Sequence, residues 1–381
     1  MTRTVTAAAP RRVRALSFHA HYACGNSGAC CSAGWPIPVE AHILPMLTHA
    51  LDTQRVTPAG DGPPLTFPAE RPPSVGAVLG RTPAGACVFF DRSQRGGHCG
   101  VHRFAGIPAM PVACRQFPRV ARHDARGTDV SLSHWCPTAV ACLDHNEPVS
   151  IVEWPAAFPG ASEFEGLDAR AAWPPLLRPD CLFDADAYDA LERHTVAVLT
   201  RDGQPLPGRL ADLDVWFEHL RGWHPARGPL VTDVLVSRPD VPLARTAEIW
   251  CAETLWHGVI DAIPEDLRAS VPSGIERPAP DARAFLALPH VARRVGRYLA
   301  ARFFGSWVAY QGQGLRSMMA SLHAGLTVVR HALRLDQHGD PEARLRLALR
   351  TSDLLLVHLA SPEALARGYS RWERHSPSPG A

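Results

Sequence analysis

Along the C-terminal half, apolar residues recur at steps of three and four. Leu288, Val291, Val295, Leu299 and Phe303 form one such stripe, with Arg293, Arg294, Arg297 and Arg302 mostly off it, which predicts an amphipathic helix. Leu315, Met318, Met319, Leu322, Leu326, Val329 and Leu333 predict a second, whose apolar side chains belong to the core. Asp340-Pro341 reads as the N-cap and first position of a third helix, running to about Ala360. Earlier helices are expected over Asp186 to Leu199, Leu210 to Leu220 and Ala244 to Ile263. Between Ser17 and Cys142 the texture changes to short apolar pieces broken by Gly and Pro, with a helical period only around Val39 to Leu51. Such a stretch needs something other than a large core to hold it. The expected fold class is therefore mainly α, a loop-rich cysteine-cluster metal-binding domain followed by an all-α helical domain.

Proline marks the borders. The passage 56–86 carries Pro58, Pro63, Pro64, Pro68, Pro72, Pro73 and Pro83 and reads as a long connection or insertion. A second such passage runs from Pro148 to Pro179. The organisation expected is a flexible N-terminus over 1–16, a cysteine-rich metal-binding domain over 17–147 with the insertion 56–86, a proline-rich linker over 148–180, a helical domain over 181–374, and a disordered tail over 375–381. The 36 prolines and 29 glycines in 381 residues stay below the roughly 25–30% that marks wholesale disorder. The 39 basic residues, every one arginine, face 37 acidic ones, which removes any electrostatic reason to expect nucleic acid or an anionic membrane as a partner. No apolar run is long enough for a membrane span. The N-terminus, with Arg11, Arg12 and Arg14 behind Pro10, lacks the apolar stretch of a secretory signal, so a cytoplasmic location is expected.

In that compartment thiols stay reduced, and a dense cysteine cluster holds metal or does chemistry more readily than it forms disulfides. Cys24, Cys30, Cys31, Cys87, Cys99, Cys114, Cys136 and Cys142 share one segment; only Cys181 and Cys251 lie outside it. Thiolates are soft ligands that suit zinc and iron–sulfur clusters alike. The first three stand in Tyr22-Ala-Cys24-Gly-Asn-Ser27-Gly-Ala-Cys30-Cys31-Ser-Ala-Gly34-Trp35, too widely spaced for a zinc knuckle, so ligands must be pooled from distant loops. Adjacent Cys30 and Cys31 are expected to point apart, one ligating and the other serving a second site or another iron. The later stretches are Gly85-Ala-Cys87-Val-Phe-Phe, Gly97-His98-Cys99-Gly-Val-His102, Cys114-Arg115-Gln-Phe117-Pro118-Arg119 and Ser131-Leu-Ser-His134-Trp-Cys136-Pro137. His98, His102 and His134 could ligate or orient ligands, or be ordinary histidines. Arg115 and Arg119 are the candidate cofactor-binding residues, able to neutralise thiolate charge or hold an anionic group; salt bridges elsewhere are the alternative.

These stretches together resemble the YkgJ-type cysteine-cluster proteins, described as zinc- or iron-chelating. Cys-Cys-x-x-Gly-Trp at 30–35, Cys-x-x-Phe-Pro-Arg at 114–119 and Ser-Leu-Ser-x-x-Cys-Pro at 131–137 are most similar to flagellin lysine N-methylases of the FliB type. The resemblance covers residues 17–142. It departs from the family at Ser27, where a cysteine is usual, and Cys142 is an extra thiol that could supply the missing ligand. What it implies is transfer of a methyl group from S-adenosylmethionine to lysines of flagellin or another surface-exposed protein. No G-x-G-x-x-G follows a strand to hold that donor, and the C-x3-C-x2-C spacing of radical enzymes is absent, so the donor is expected at the metal site or in a pocket between the cluster domain and the helices. A lysine-free chain cannot modify itself on lysine. The alternatives are a non-enzymatic module stapled by metal and a redox sensor built on the Cys30-Cys31 pair.

Overall fold

The computed structural model describes residues 12–93, 97–158, 160, 164–172, 174–236, 252–277, 282–337 and 339–372, with side chains to Tyr369. Cys251, the start of the helix expected from Ala244 and the tail 375–381 lie outside these residues. The chain divides into two compact units. The larger runs to His21, resumes at Ala121–Trp135 and continues from Val140; the smaller comprises Tyr22–Val120 and Cys136–Ala139.

The larger unit contains a five-stranded mixed sheet, in the order Gly166–Asp168, Arg119–Asp124, Gly127–Leu132, Val13–Leu16 and Ile151–Glu153. Val13–Leu16 runs parallel to Gly127–Leu132, with Val13 opposite Thr128, and antiparallel to Ile151–Glu153, with Arg14 opposite Glu153. This sheet overturns the expected fold class: helix predominates, but the arrangement is neither all-α nor loop-rich. It also corrects two boundaries. The four buried residues Val13–Leu16 belong to the interior of the sheet and not to a flexible N-terminus. The stretch taken as a linker supplies both edge strands. Buried charges hid these strands: Arg14, Arg122 and Asp129 are each at most 1% exposed, and a hydrophobicity pattern counts such positions as surface.

The helices sit close to their periodicities, at Ala185–Thr200, Leu206–Arg221, Ala252–Asp261, Pro289–Phe304, Leu315–Ala332 and Pro341–Asp353. Asp184 and Asp340 cap two of them by accepting from the backbone N–H of Ala187 and Ala343, at 2.7 and 3.1 Å. The helix opened by Asp340 stops at Asp353, before the expected Ala360; the chain continues as a π-helical turn over Leu354–Leu359 and a further helix over Pro362–Trp372. Leu315–Ala332 is buried nearly all round, as a helix at the centre of a helical layer must be. Pro289–Phe304 packs on Ala185–Thr200. At their crossing a Cβ on Gly296 would lie 2.3 Å from the carbonyl oxygen of Leu199, so only glycine permits the approach. Among the described residues no helix is long and apolar enough to cross a membrane.

The smaller unit has its own core of Val39, Ile43, Leu47, Val56, Ala77, Leu79, Val88, Phe89 and Val101. Pro38–Glu40, Val75–Leu79 and Leu65–Thr66 form a three-stranded antiparallel sheet, beside which Leu44–Asp52 is helical. The proline-rich passage 56–86 thus carries two strands and part of the core.

Candidate metal centre

Five cysteines of the smaller unit reach one place from four separate local structures. Gly28 adopts a left-handed conformation (φ 70°) and opens the single helical turn Ala29–Ser32, whose Cys31 and Ser32 N–H groups return to the Gly28 carbonyl at 3.0 and 2.9 Å. A Cβ at Gly28 would meet the Phe90 ring at 2.0 Å, so both backbone angle and space require glycine there. The turn directs Cys30 and Cys31 the same way. Their sulfurs are 3.8 Å apart, the separation of about 3.8 Å that tetrahedral coordination with Zn–S near 2.3 Å implies. The expectation that the two point apart is therefore corrected. The Cys87 N–H donates to the Cys31 carbonyl at 2.7 Å, locking a second loop to the first. Cys99 ends the strand His98–Cys99, pairs with Phe90 and precedes the helix Gly100–Phe104. Cys114 lies within Val112–Gln116, whose first N–H is held by the Glu40 carboxylate.

These five thiols line one cavity of about 50 Å³, walled otherwise by Ile37, Leu79, Phe89, Val101, Met110 and Pro111. One water needs roughly 10–15 Å³, so there is room for more than that. A larger cavity of about 280 Å³ shares Cys30, Cys31, Cys99 and Cys114 and adds Cys24, Cys136, Tyr22, Asn26, Ser27, His102, Arg115 and Arg119. Seven of the eight predicted ligands and both predicted cofactor-binding arginines thus line this pair of cavities. Ser27, standing where the family pattern has cysteine, faces the larger one. Cys142 ends the helix Pro137–Cys142 in the other unit and lines neither cavity.

The electrostatics fit a cation. Cys31 shares hydrogen bonds with Cys30 and Cys99, which hold its own thiol far up and bring both partners down. Cys99 comes to about 6, aided by the N–H groups of His102 and Val101 at the helix start. Burial pushes Cys87 up to about 11, and burial with neighbouring thiols pushes Cys114 up. The inner cavity is lined by sulfur and hydrocarbon, so a soft cation or cluster is what would neutralise its thiolates. Among the described residues no three of these sulfurs lie within 4.8 Å of one another, so ligation would draw them inward. On the outer side Arg119 stacks over the Tyr22 ring at 5.5 Å, and the Tyr22 hydroxyl lies 3.9 Å from the Cys136 sulfur.

The three histidines part company. His102 lines the larger cavity, His98 lines neither, and His134 is buried in the larger unit beside Asp353. The backbone N–H of His134 donates to Asp353, its Nδ1 lies 3.3 Å from Oδ2, and Tyr298 donates to Oδ1 at 2.9 Å. Burial raises Asp353, but the bonds and charges of His134 and Arg302 outweigh it and hold the carboxyl down to about 2. A depressed folded pKa gives stability that is present above the unfolded value and lost as pH falls through the folded one. Between pH 4 and 2, Asp353→Asn is therefore expected to flatten the loss of stability by about 2 kcal/mol, measured by urea unfolding across that range. A wild-type slope in the variant would refute it.

Residue patterns did not reveal a second grouping, His21, His145 and Glu147, whose ligand atoms lie within 4.8 Å of one another. No family model, curated protein or solved structure matches this chain.

Proposed function

We propose that the chain is a metal-binding cysteine-cluster protein whose thiolates hold an iron–sulfur cluster or zinc, and that it acts in the cytoplasm as an S-adenosylmethionine-dependent lysine N-methyltransferase of flagellin-type proteins. The observation that carries the metal reading is the convergence of Cys30, Cys31, Cys87, Cys99 and Cys114 on one sulfur-lined cavity. The methyltransferase reading rests on the motif resemblance and is supported by the adjoining larger cavity. There Arg115 and Arg119 offer guanidinium groups, and Asn26 an amide, to an anionic or zwitterionic small molecule. A bound metal with an open position would supply coordination for the donor's carboxylate and amine. Tyr22, Arg115 and Arg119 would orient the donor, and the apolar inner wall would keep water from the sulfurs.

The second reading, a metal-stapled accessory module, is favoured by the inner cavity's own count, since five cysteines more than complete a closed four-ligand zinc site. Two measurements on anaerobically purified protein separate the readings. Iron with acid-labile sulfide, or zinc, bound in whole equivalents is expected, together with methyl label passing from S-adenosylmethionine to flagellin lysines. The chain has no lysine of its own, so labelled lysine can only be the substrate's. Metal without methyl transfer would favour the module, and colourless metal-free protein would overturn both.

A further inference from the structure

The loop after the Val13–Leu16 strand and the loop before Ile151–Glu153 are bound together. Ser17 N–H donates to the Ser150 carbonyl at 2.8 Å, and Ser150 N–H donates to Ser17 Oγ at 3.1 Å. Beyond this tie His21 meets His145, the two imidazoles lying parallel with 4° between their planes and 5.1 Å between centroids. Glu147 completes a set of three ligand atoms within 4.8 Å of one another, His21 and Glu147 exposed and His145 half-buried.

The segment that supplies two of the three is held from within. Arg297, 5% exposed on the Pro289–Phe304 helix, donates to the carbonyls of Leu143 at 2.9 Å and Glu147 at 3.2 Å, and also to that of His145. These bonds engage the backbone alone. The loop is thereby pre-organised, which lowers the entropic cost of gathering its side chains round an ion.

The geometry points to a second metal site here, a solvent-facing His21–His145–Glu147 site for a borderline divalent cation of the zinc, cobalt or iron(II) class. Two imidazoles and one carboxylate suit such ions and disfavour calcium and magnesium, which take oxygen. Three protein ligands leave at least one position for water or an anionic ligand, the composition of open sites. The site contains no sulfur and does not depend on the thiol centre or on the methyltransferase reading.

Cobalt(II) titration of the full chain tests it, because cobalt on nitrogen and oxygen ligands shows d–d bands without thiolate-to-metal charge transfer. We expect one equivalent with that sulfur-free spectrum, weakened at least about tenfold in His145→Ala and in Glu147→Gln and unchanged in Cys31→Ser. In the unsubstituted protein the same equivalent should broaden the ring-proton resonances of His21 and His145. Cobalt uptake showing charge-transfer bands only, an equivalent indifferent to His145→Ala, or unbroadened His21 and His145 signals would each overturn the site.

Discussion

Glu192→Gln is expected to lower the unfolding free energy by about 3–5 kcal/mol, read as a shifted urea midpoint at unchanged slope. Glu192, on the Ala185–Thr200 helix, is fully buried and accepts from three guanidinium groups: Arg14 at 3.1 Å, Arg122 at 2.6 Å and Arg126 at 2.5 Å. Arg14 also forks onto Asp129 at 2.7 and 2.9 Å, and Arg122 bonds Asp129 as well. Removing the Glu192 charge takes away the one carboxylate that accepts from all three guanidinium groups and leaves them Asp129, Asp124 and Asp189; the desolvated donors left without that shared acceptor are the source of the cost. The double variant Glu192→Gln/Arg122→Met should therefore lose less than the sum of the two single changes. Additivity would mean that the network has no shared term. The pH dependence carries a sign. Burial raises the Glu192 carboxyl, but Arg126, Arg122 and Arg14 outweigh it and hold it below the carboxylate range. Its contribution is thus present above about pH 4.3 and lost as pH falls further. Burial and Glu192 push Asp129 the other way, which offsets part of this.

The same network explains what the sequence concealed. Helices such as Pro289–Phe304 and Leu315–Ala332 are legible because their large apolar residues repeat with the helical period over about four turns or more. The strands are three to six residues long, and the three interior ones, Arg119–Asp124, Gly127–Leu132 and Val13–Leu16, carry the buried charges Arg122, Asp129 and Arg14. The partners of Val13–Leu16 are far off in the chain, so neither alternation nor a local turn announces the parallel pairing of Val13 with Thr128. The cysteine-rich unit intervenes in the chain between Val13–Leu16 and Gly127–Leu132. For the candidate centre, residue chemistry was enough to single out the thiols, since few roles other than metal or disulfide gather so many. It could not tell which backbone turns bring them together, as the parallel aim of Cys30 and Cys31 shows. Nor could it mark His21, His145 and Glu147, common residues joined only by a sheet the pattern did not reveal.

Cys31→Ser is expected to abolish metal retention, while Cys142→Ser retains the wild-type content. Cys31 lines both cavities, has its sulfur 3.8 Å from that of Cys30, is hydrogen-bonded with Cys99, and accepts the Cys87 N–H at its carbonyl. Serine keeps the backbone bond and nearly the same volume but replaces a soft donor with a hydroxyl that zinc and iron–sulfur clusters bind poorly. The loss should exceed the roughly 10–100-fold typical of removing a group that merely orients a ligand. Because metal binding is also folding energy, loops of the smaller unit, such as the one that carries Cys87 between Val75–Leu79 and Phe90–Asp91, should become more open to protease. Helices of the larger unit have a core of their own and should keep their circular dichroism. Cys142, set in the larger unit and absent from both cavity linings, provides the contrast. Equal metal loss in both variants would mean that the ligand set is drawn from more than the sulfur-lined cavity. Metal retained in Cys31→Ser would remove that cavity as the binding site.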